Sequence, residues 1–530
     1  MRESAVHRNK KVSLKPRGKL MLIAEIALIA TELLMMGLVL LVGVLPAKYL
    51  ALLTGIFVLI DFVVLAMNAS PVSLKRIAGL IVSVATMCVL VIGCWYMQST
   101  YSAFAKITDI GTQYDEYDVI VLDSSSYQEV ADIKGKKVFI AKANLKTYTE
   151  AQGKLQNEAE VEFKTKDDIM AVGEKLVESD GTTHNEIAFI SDANYDLLCE
   201  EIEGYSDATK VIYTIKVEAR EDNESGKLNV TQDPFNIYIS GIDSWGDIEE
   251  HKTRSDVNMI VTVNPKTRQV LLTSIPRDAY LQLHSFGQMD KLTHAGIYGN
   301  GIDETMNTVH DWLGVDFNYY FRVNFGVVHR LVNAIGGIDV YSDYAFHTSI
   351  KDYSYKKGWN HLEGKEALYF ARERKTFVDM DQQRIKNQQK VVKAIIKKAT
   401  SSTVVLTSYT EILDAIKHHM QTNMSQKDMS AIIKMQLGDM DTEWTINSIS
   451  IKGTMDKQGT YSMGMGRPLD VCIMDEESAE RAVDTINAVM YPPDDQPVDI
   501  KDDKSENGLK DSSQQIKPEQ KIDAEEQNNQ

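Results

Sequence analysis

Residues 256–278 read DVNMIVTVNPKTRQVLLTSIPRD, and the fold turns on them. VNMIVTV and QVLLTSI are rich in β-branched and aliphatic side chains, and Asn264-Pro-Lys-Thr267 between them is turn chemistry. The stretch predicts two strands joined by a tight turn, preceded by a third strand from Phe235 that enters the turn SGIDSWGD. The last of these strands runs into Pro276, Arg277 and Asp278. Charged residues gathered at strand ends and in adjoining loops are how an α/β scaffold presents a polar site.

A second charged group follows at ALYFARERKTFVDMDQQRIKNQQKVVKAI, residues 367–395. Leu362 to Ala371 has a helical pattern. If that helix ends near Ala371, the following segment is extended, and Arg372 and Arg374 share a side while Glu373 faces away or braces them. Arg384 opens a further helix on which Gln388, one turn on, lies on the same face. Guanidinium clusters suit phosphates because the planar fork makes paired, charge-assisted hydrogen bonds. Asp243 and Asp256 suit magnesium, which takes one or two acids and completes its shell with water and phosphate oxygens. Two readings remain open on these residues alone: a diphosphate bridged by a metal, or a structural ion-pair network.

Around this region the chain changes character. Its 530 residues carry a formal charge of −18 with 44% hydrophobic and 25% charged side chains, a composition that excludes wholesale disorder and a polytopic transporter. The charge is unevenly placed: net +6 over 1–100, −13 over 101–232, −5 over 233–493 and −6 over 494–530. No basic face large enough for nucleic acid follows from this balance. Four cysteines, two of them in an apolar run, give no disulfide framework.

Leu20–Leu45, Leu50–Met67 and Ile77–Met97 are each near the ~20 residues needed to cross a bilayer as a helix. Lysines and arginines crowd residues 2–19 and recur at Lys75 and Arg76, so the positive-inside rule places the N-terminus in the cytoplasm and everything after residue 98 outside. Glu25, Glu32 and Asp61 interrupt the first two spans. Glu32 and Asp61 either share a proton or meet a partner membrane protein, or they are hydrogen-bonded within the helix bundle. Residues 110–220 read as a small α/β domain, with strands at 119–122, 138–140 and 187–190. The acidic tail 493–530 lacks the apolar residues needed for a core and is expected to be disordered. The resulting boundaries are a basic segment 1–19, spans within 20–98, an accessory domain 110–220, a catalytic domain 233–490 and the tail.

The runs from Tyr238 to Leu281, DKLTHAGIYGN (290–300), and Gly358 to Lys390 together resemble the LytR-CpsA-Psr family, and the three-span head with an accessory domain resembles its capsular subgroup. The resemblance implies an α-β-α sandwich as the catalytic domain, beside the smaller α/β domain and the three transmembrane helices. It implies an extracytoplasmic phosphotransferase in a Gram-positive cell membrane that moves capsular polysaccharide, or another anionic cell-wall polymer, from a polyprenyl-diphosphate carrier to peptidoglycan. Carried over by position, Asp243 and Asp256 hold Mg2+, with Mn2+ the alternative. Arg277, Lys291, Arg372, Arg374, Arg384 and Gln388 grip the diphosphate, and Asp278 and Asp381 join Arg277, Arg372 and Arg374 among the catalytic residues. Many relatives have Gly and Arg where this chain has Gln383 and Asn387, one cation fewer. The helix carrying Phe325, Val328, Leu331, Val332 and Ile335 is either an ordinary core helix or a wall of the lipid cavity. His294 is a structural histidine or a proton shuttle. The partners implied are the lipid-linked polymer, peptidoglycan, the membrane and capsule-assembly membrane proteins, with no nucleic acid. The alternatives are a membrane-tethered scaffold or regulator of capsule export and a polyprenyl-diphosphate pyrophosphatase.

Overall fold

The computed structural model describes residues 18–502 apart from 109–113, 144, 179–184, 219–227, 243, 245–247, 249–253, 299–300, 402–407 and 441. Asp243, the first seventeen residues and the tail from residue 503 therefore lie outside the described residues. The chain divides into two compact units, 1–105 with 426–440, and 106–425 with 441–530.

In the first unit, helices Lys19–Val42, Ala47–Asn68 and Ser73–Thr108 are long and apolar enough to cross a membrane. They are inside-out relative to a water-soluble bundle: Leu33, Leu34, Phe62, Val89 and Trp95 are exposed, while Glu25 and Glu32 are buried. Asn68 Nδ2 donates to Glu25 Oε1 at 3.0 Å, and Asp61 lies beside Glu32. Paired polar groups of this kind are how ionisable side chains are tolerated at membrane depth. The helix Gln426–Gly438 belongs to the same unit, tied by Ser430 Oγ donating to Val42 O and Lys48 Nζ donating to Gly438 O, each at 2.9 Å.

The second unit holds two sheets. The accessory sheet has five strands in the order Glu162–Lys166, Lys137–Ala141, Ile187–Ser191, Tyr114–Leu122 and Thr209–Glu218. The edge strands EFKTK and TKVIYTIKVE have too few consecutive apolar residues to stand out in sequence. One face buries Tyr117, Val119, Val138 and Phe189 against the helix Lys146–Ala159. The other face, through Ile120, Ala188 and Ile190, belongs to one continuous apolar core with Tyr238, Ile260, Leu271, Phe286 and Tyr461 of the second sheet and its surroundings.

That second sheet runs Met420–Thr422, Tyr319–Asn324, Phe235–Ile242, Ser255–Asn264, Gln269–Ile275, Thr445–Ser450. The strands expected from the opening stretch are antiparallel neighbours at its centre. Asn264 Oδ1 accepts the N–H groups of Lys266 and Thr267, and Arg268, with φ +53°, closes the turn in the left-handed region. The helix Glu476–Met490 packs on one face. On the other, Gln389 of the helix Asp381–Ser401 donates from Nε2 to Ser274 Oγ at 2.9 Å and to Ile449 O at 2.6 Å. A separate apolar cluster, including Val332, Ile335, Phe346, Phe370 and Val391, fills the space under the helices Phe325–Ala334, Gly364–Arg372 and Asp381–Ser401. The architecture is the α-β-α sandwich expected from sequence.

Candidate functional site

Arg277 leaves the end of the strand Gln269–Ile275 and meets carboxylates from two directions. Its Nη1 donates to Asp256 Oδ1 at 3.1 Å, and its Nε lies 3.5 Å from Asp278 Oδ2. Lys291 Nζ donates to Asp278 Oδ1 at 3.0 Å, and Thr293 Oγ1 donates to Asp256 Oδ1 at 3.3 Å. Burial disfavours the Arg277 charge, but Asp256, Asp278 and Asp381 outweigh it and hold the guanidinium above its ordinary pKa.

The opposite wall is built by a helix end and a helix start. The helix Gly364–Arg372 stops at Arg372, and Glu373 is extended. Glu373 is buried and faces away: its carboxylate accepts the N–H groups of Ser349 at 2.6 Å and Thr376 at 3.0 Å. This latch fixes the segment carrying the two flanking arginines. Arg372 lies over the Phe325 ring, 4.0 Å from its centroid. After a left-handed turn at Met380, φ +36°, the helix Asp381–Ser401 begins, placing the positive end of a helix dipole beside Arg384. Arg384 Nη2 lies 2.7 Å from Asp381 Oδ1. Burial pulls the Arg384 pKa down; Asp381 opposes this, while nearby Arg277 and Arg374 add to it. A buried cation surrounded by other cations is poised to accept an anion.

Arg277, Lys291, Arg374 and Arg384 are thus brought together with Asp256, Asp278 and Asp381. Gln388 lies one turn beyond Arg384 and is half-buried, whereas its neighbour Gln389 is the glutamine bonded to the sheet. Gln383 and Asn387, where many relatives carry Gly and Arg, form a buried pair: Gln383 Nε2 donates to Asn387 Oδ1 at 3.0 Å, and Asn387 Nδ2 donates to Phe370 O at 3.2 Å. His294 is buried with Nδ1 2.7 Å from Asp290 Oδ1 and 2.8 Å from Ser462 Oγ. Both partners meet the same ring nitrogen and brace the imidazole. Val332 and Ile335 are core residues, while Val328 and Leu331 of the same helix are only partly buried.

Sequence reasoning missed Thr293 as a partner of Asp256, and it missed Cys472. The Cys472 N–H donates to Asp278 O at 2.7 Å, and burial, with the nearby Asp278 and Asp381 charges, pushes its thiol up to about 11. Nothing in the sequence around Cys472 signals this, because the contact is set by long-range pairing. For magnesium, the donor chemistry fits. Among the described residues only Oδ1 of Asp256 is engaged, which leaves its second oxygen for a cation. No group of three or more His, Cys, Asp or Glu side chains that could hold a metal ion occurs among the described residues.

The model of the LytR_cpsA_psr family matches residues 200–476. The polyisoprenyl-teichoic acid–peptidoglycan teichoic acid transferase TagU of Bacillus mycoides is 35% identical over 229 residues, 42% of this chain and 73% of that protein. TagU of Enterococcus faecalis is 35% identical over 216 residues, 41% of this chain and 70% of that protein. The crystal structure of B. subtilis TagV is 28% identical, covers 49% of this chain and 98% of its own, and has a TM-score of 0.41.

Proposed function

The chain belongs to the LytR-CpsA-Psr family, and on that premise we propose that it transfers a capsular or other anionic glycopolymer from a polyprenyl-diphosphate carrier to peptidoglycan. An acceptor hydroxyl attacks the sugar-linked phosphorus. A new P–O bond forms, the bridging P–O bond of the diphosphate breaks, polyprenyl phosphate leaves with the electron pair, and the hydroxyl proton passes to a base. The observation that carries this reading is the convergence of Arg277, Arg374 and the buried Arg384 on one strand end, with Asp256, Asp278 and Asp381 among them.

Each group has a distinct task. Arg384 and Arg374 grip the diphosphate, where charge on the bridging and leaving oxygens rises during transfer. Arg277 is fixed between Asp256 and Asp278, so its charge need not reorganise during reaction. Lys291, held by Asp278, contributes a point charge on the other side. Asp256 with Asp243 would hold Mg2+, which when bound neutralises phosphate oxygens. The apolar carrier runs along Phe325, Val328 and Leu331, whose helix begins under Arg372. The N-terminus is cytoplasmic, and the two sheet domains are extracytoplasmic, where peptidoglycan lies.

Transfer of lipid-linked oligosaccharide to peptidoglycan fragments tests the assignment. Arg374→Ala should lower kcat/KM by at least ~100-fold, the worth of a charge-assisted hydrogen bond to phosphate in a shielded site. Lys266→Ala, at the one exposed position of the otherwise buried Asn264–Thr267 turn, should retain wild-type activity. Equal activities in the two variants would refute the site.

A further inference from the structure

The hairpin Gly453–Thr460/Gly464–Met474 holds the Lys291–Asp278 pair from both sides. At its base, Cys472 N–H donates to Asp278 O at 2.7 Å, and Cys472 pairs with Ala279 in a parallel bridge. At its tip, Ser462 N–H and Oγ donate to the carboxylate of Asp290 at 2.8 and 3.1 Å. The same carboxylate accepts the backbone N–H of Lys291 at 2.7 Å. Asp290 is fully buried, and with His294 Nδ1 also at 2.7 Å its oxygens are surrounded by partners. A buried carboxylate with that many partners holds its neighbours in one geometry. The backbone of Lys291 and the backbone of its acid partner are therefore both set by one hairpin.

The same tip reaches the accessory domain. Tyr461 OH donates to Lys142 O at 2.6 Å, directly after the accessory strand Lys137–Ala141. Tyr461 N–H donates to Met289 O at 3.0 Å, one residue before Asp290. Its ring packs against Phe286 at 4.8 Å and Tyr298 at 6.0 Å between centroids. Farther along, Arg467 forms an ion pair with Glu174 of the accessory helix Ile169–Val177. A cavity of about 20 Å³, room for one water, lies at this seam beside Tyr461, Tyr298 and Tyr148.

We propose that the 453–474 hairpin is a lever through which the accessory domain sets the Lys291–Asp278 phosphate grip, with Tyr461 and Asp290 as positioning residues. This rests on the phosphotransfer reading above. A movement of the strand ending at Ala141 pulls Tyr461, Ser462 follows, and Asp290 carries the displacement to the Lys291 backbone. Transfer then answers to whatever binds or shifts the accessory domain.

The test is a double-mutant cycle on the full chain in proteoliposomes. Tyr461→Phe keeps the ring packing and removes only the bond to Lys142. The lever predicts KM for the lipid-linked donor up about fivefold, the worth of one hydrogen bond, with kcat and melting temperature nearly unchanged. Asp290→Asn should raise KM by about tenfold or more, and the double variant should match Asp290→Asn alone. A staple with no positioning role predicts a lower melting temperature at constant KM, and that result overturns the proposal, as does multiplication of the two effects. Hydrogen exchange across residues 289–293 gives a reading independent of transfer. It should quicken in Tyr461→Phe, and unchanged exchange overturns the lever even if the wild-type chain transfers no polymer, an outcome that would itself refute only the phosphotransfer reading.

Discussion

Replacing Arg384 separates catalytic from structural worth more sharply than any other change at the site. The side chain is 9% exposed, paired with Asp381 and pressed by Arg277 and Arg374, so without an anion its charge is poorly accommodated. A phosphate oxygen about 4 Å from the guanidinium gains roughly 4 kcal/mol at an effective dielectric of about 20. Two fork hydrogen bonds at about 1.5–3 kcal/mol each give the same range. At about 1.4 kcal/mol per decade, Arg384→Ala should lower kcat/KM by roughly 10²- to 10³-fold. Its effect on folding should be small or favourable, because a crowded cation is removed and Asp381, 27% exposed, remains within the field of Arg277. Arg384→Lys keeps the charge but not the planar fork and should still lose about tenfold. Activity is read by transfer of lipid-linked polymer, and folding by thermal melting of the same samples. Wild-type activity in Arg384→Lys, or a loss in Arg384→Ala that follows a collapse in melting temperature, would refute the reasoning.

Other outcomes follow from the same physics. Burial, opposed by the hydrogen bond from Thr214 and reinforced by Asp192, Glu116 and Asp196, pushes the Asp118 carboxyl up to about 6. The folded state then keeps this proton longer than the unfolded chain, so stability falls as pH rises from about 4 through 6. Asp118→Asn should raise the melting temperature at about pH 7.5 by the equivalent of about 1–2 kcal/mol and flatten that slope; an unchanged pH profile would contradict the assignment. Chelation of divalent cations should abolish transfer, with Mg2+ restoring it. Asp256→Asn should raise the Mg2+ needed for half-maximal rate by about tenfold, and transfer that survives chelation would rule out a role for the metal.

The central strands were legible because two apolar runs flank a turn whose asparagine makes the expected side-chain to backbone bonds. The end of the helix carrying Arg372 was legible for a related reason: an Arg-Glu-Arg triplet presents two cations to one side only if the helix stops, and Glu373 does turn inward onto Ser349 and Thr376. The three long apolar helices needed no more than length and composition. What escaped the sequence is pairing over long separations. Asp290 meets Ser462, and Asp278 meets Cys472, through a hairpin whose residues bear no mark of the contact. The helix Gln426–Gly438 likewise groups with residues 1–105, although its amphipathic pattern cannot say which neighbour it meets. Three inner strands of the accessory sheet were visible in the sequence, but its two edge strands and its sharing of one apolar core with the second sheet were not.

Reconstituted transfer measures the central claim most directly. The full chain in proteoliposomes is given a polyprenyl-diphosphate-linked glycopolymer, Mg2+ and peptidoglycan, and both products are quantified. The predicted result is one polyprenyl phosphate released for each glycopolymer joined to peptidoglycan through a phosphodiester, and neither product from Arg374→Ala. Release of polyprenyl phosphate with free phosphorylated polymer despite abundant acceptor, or undiminished attachment by Arg374→Ala, would contradict it.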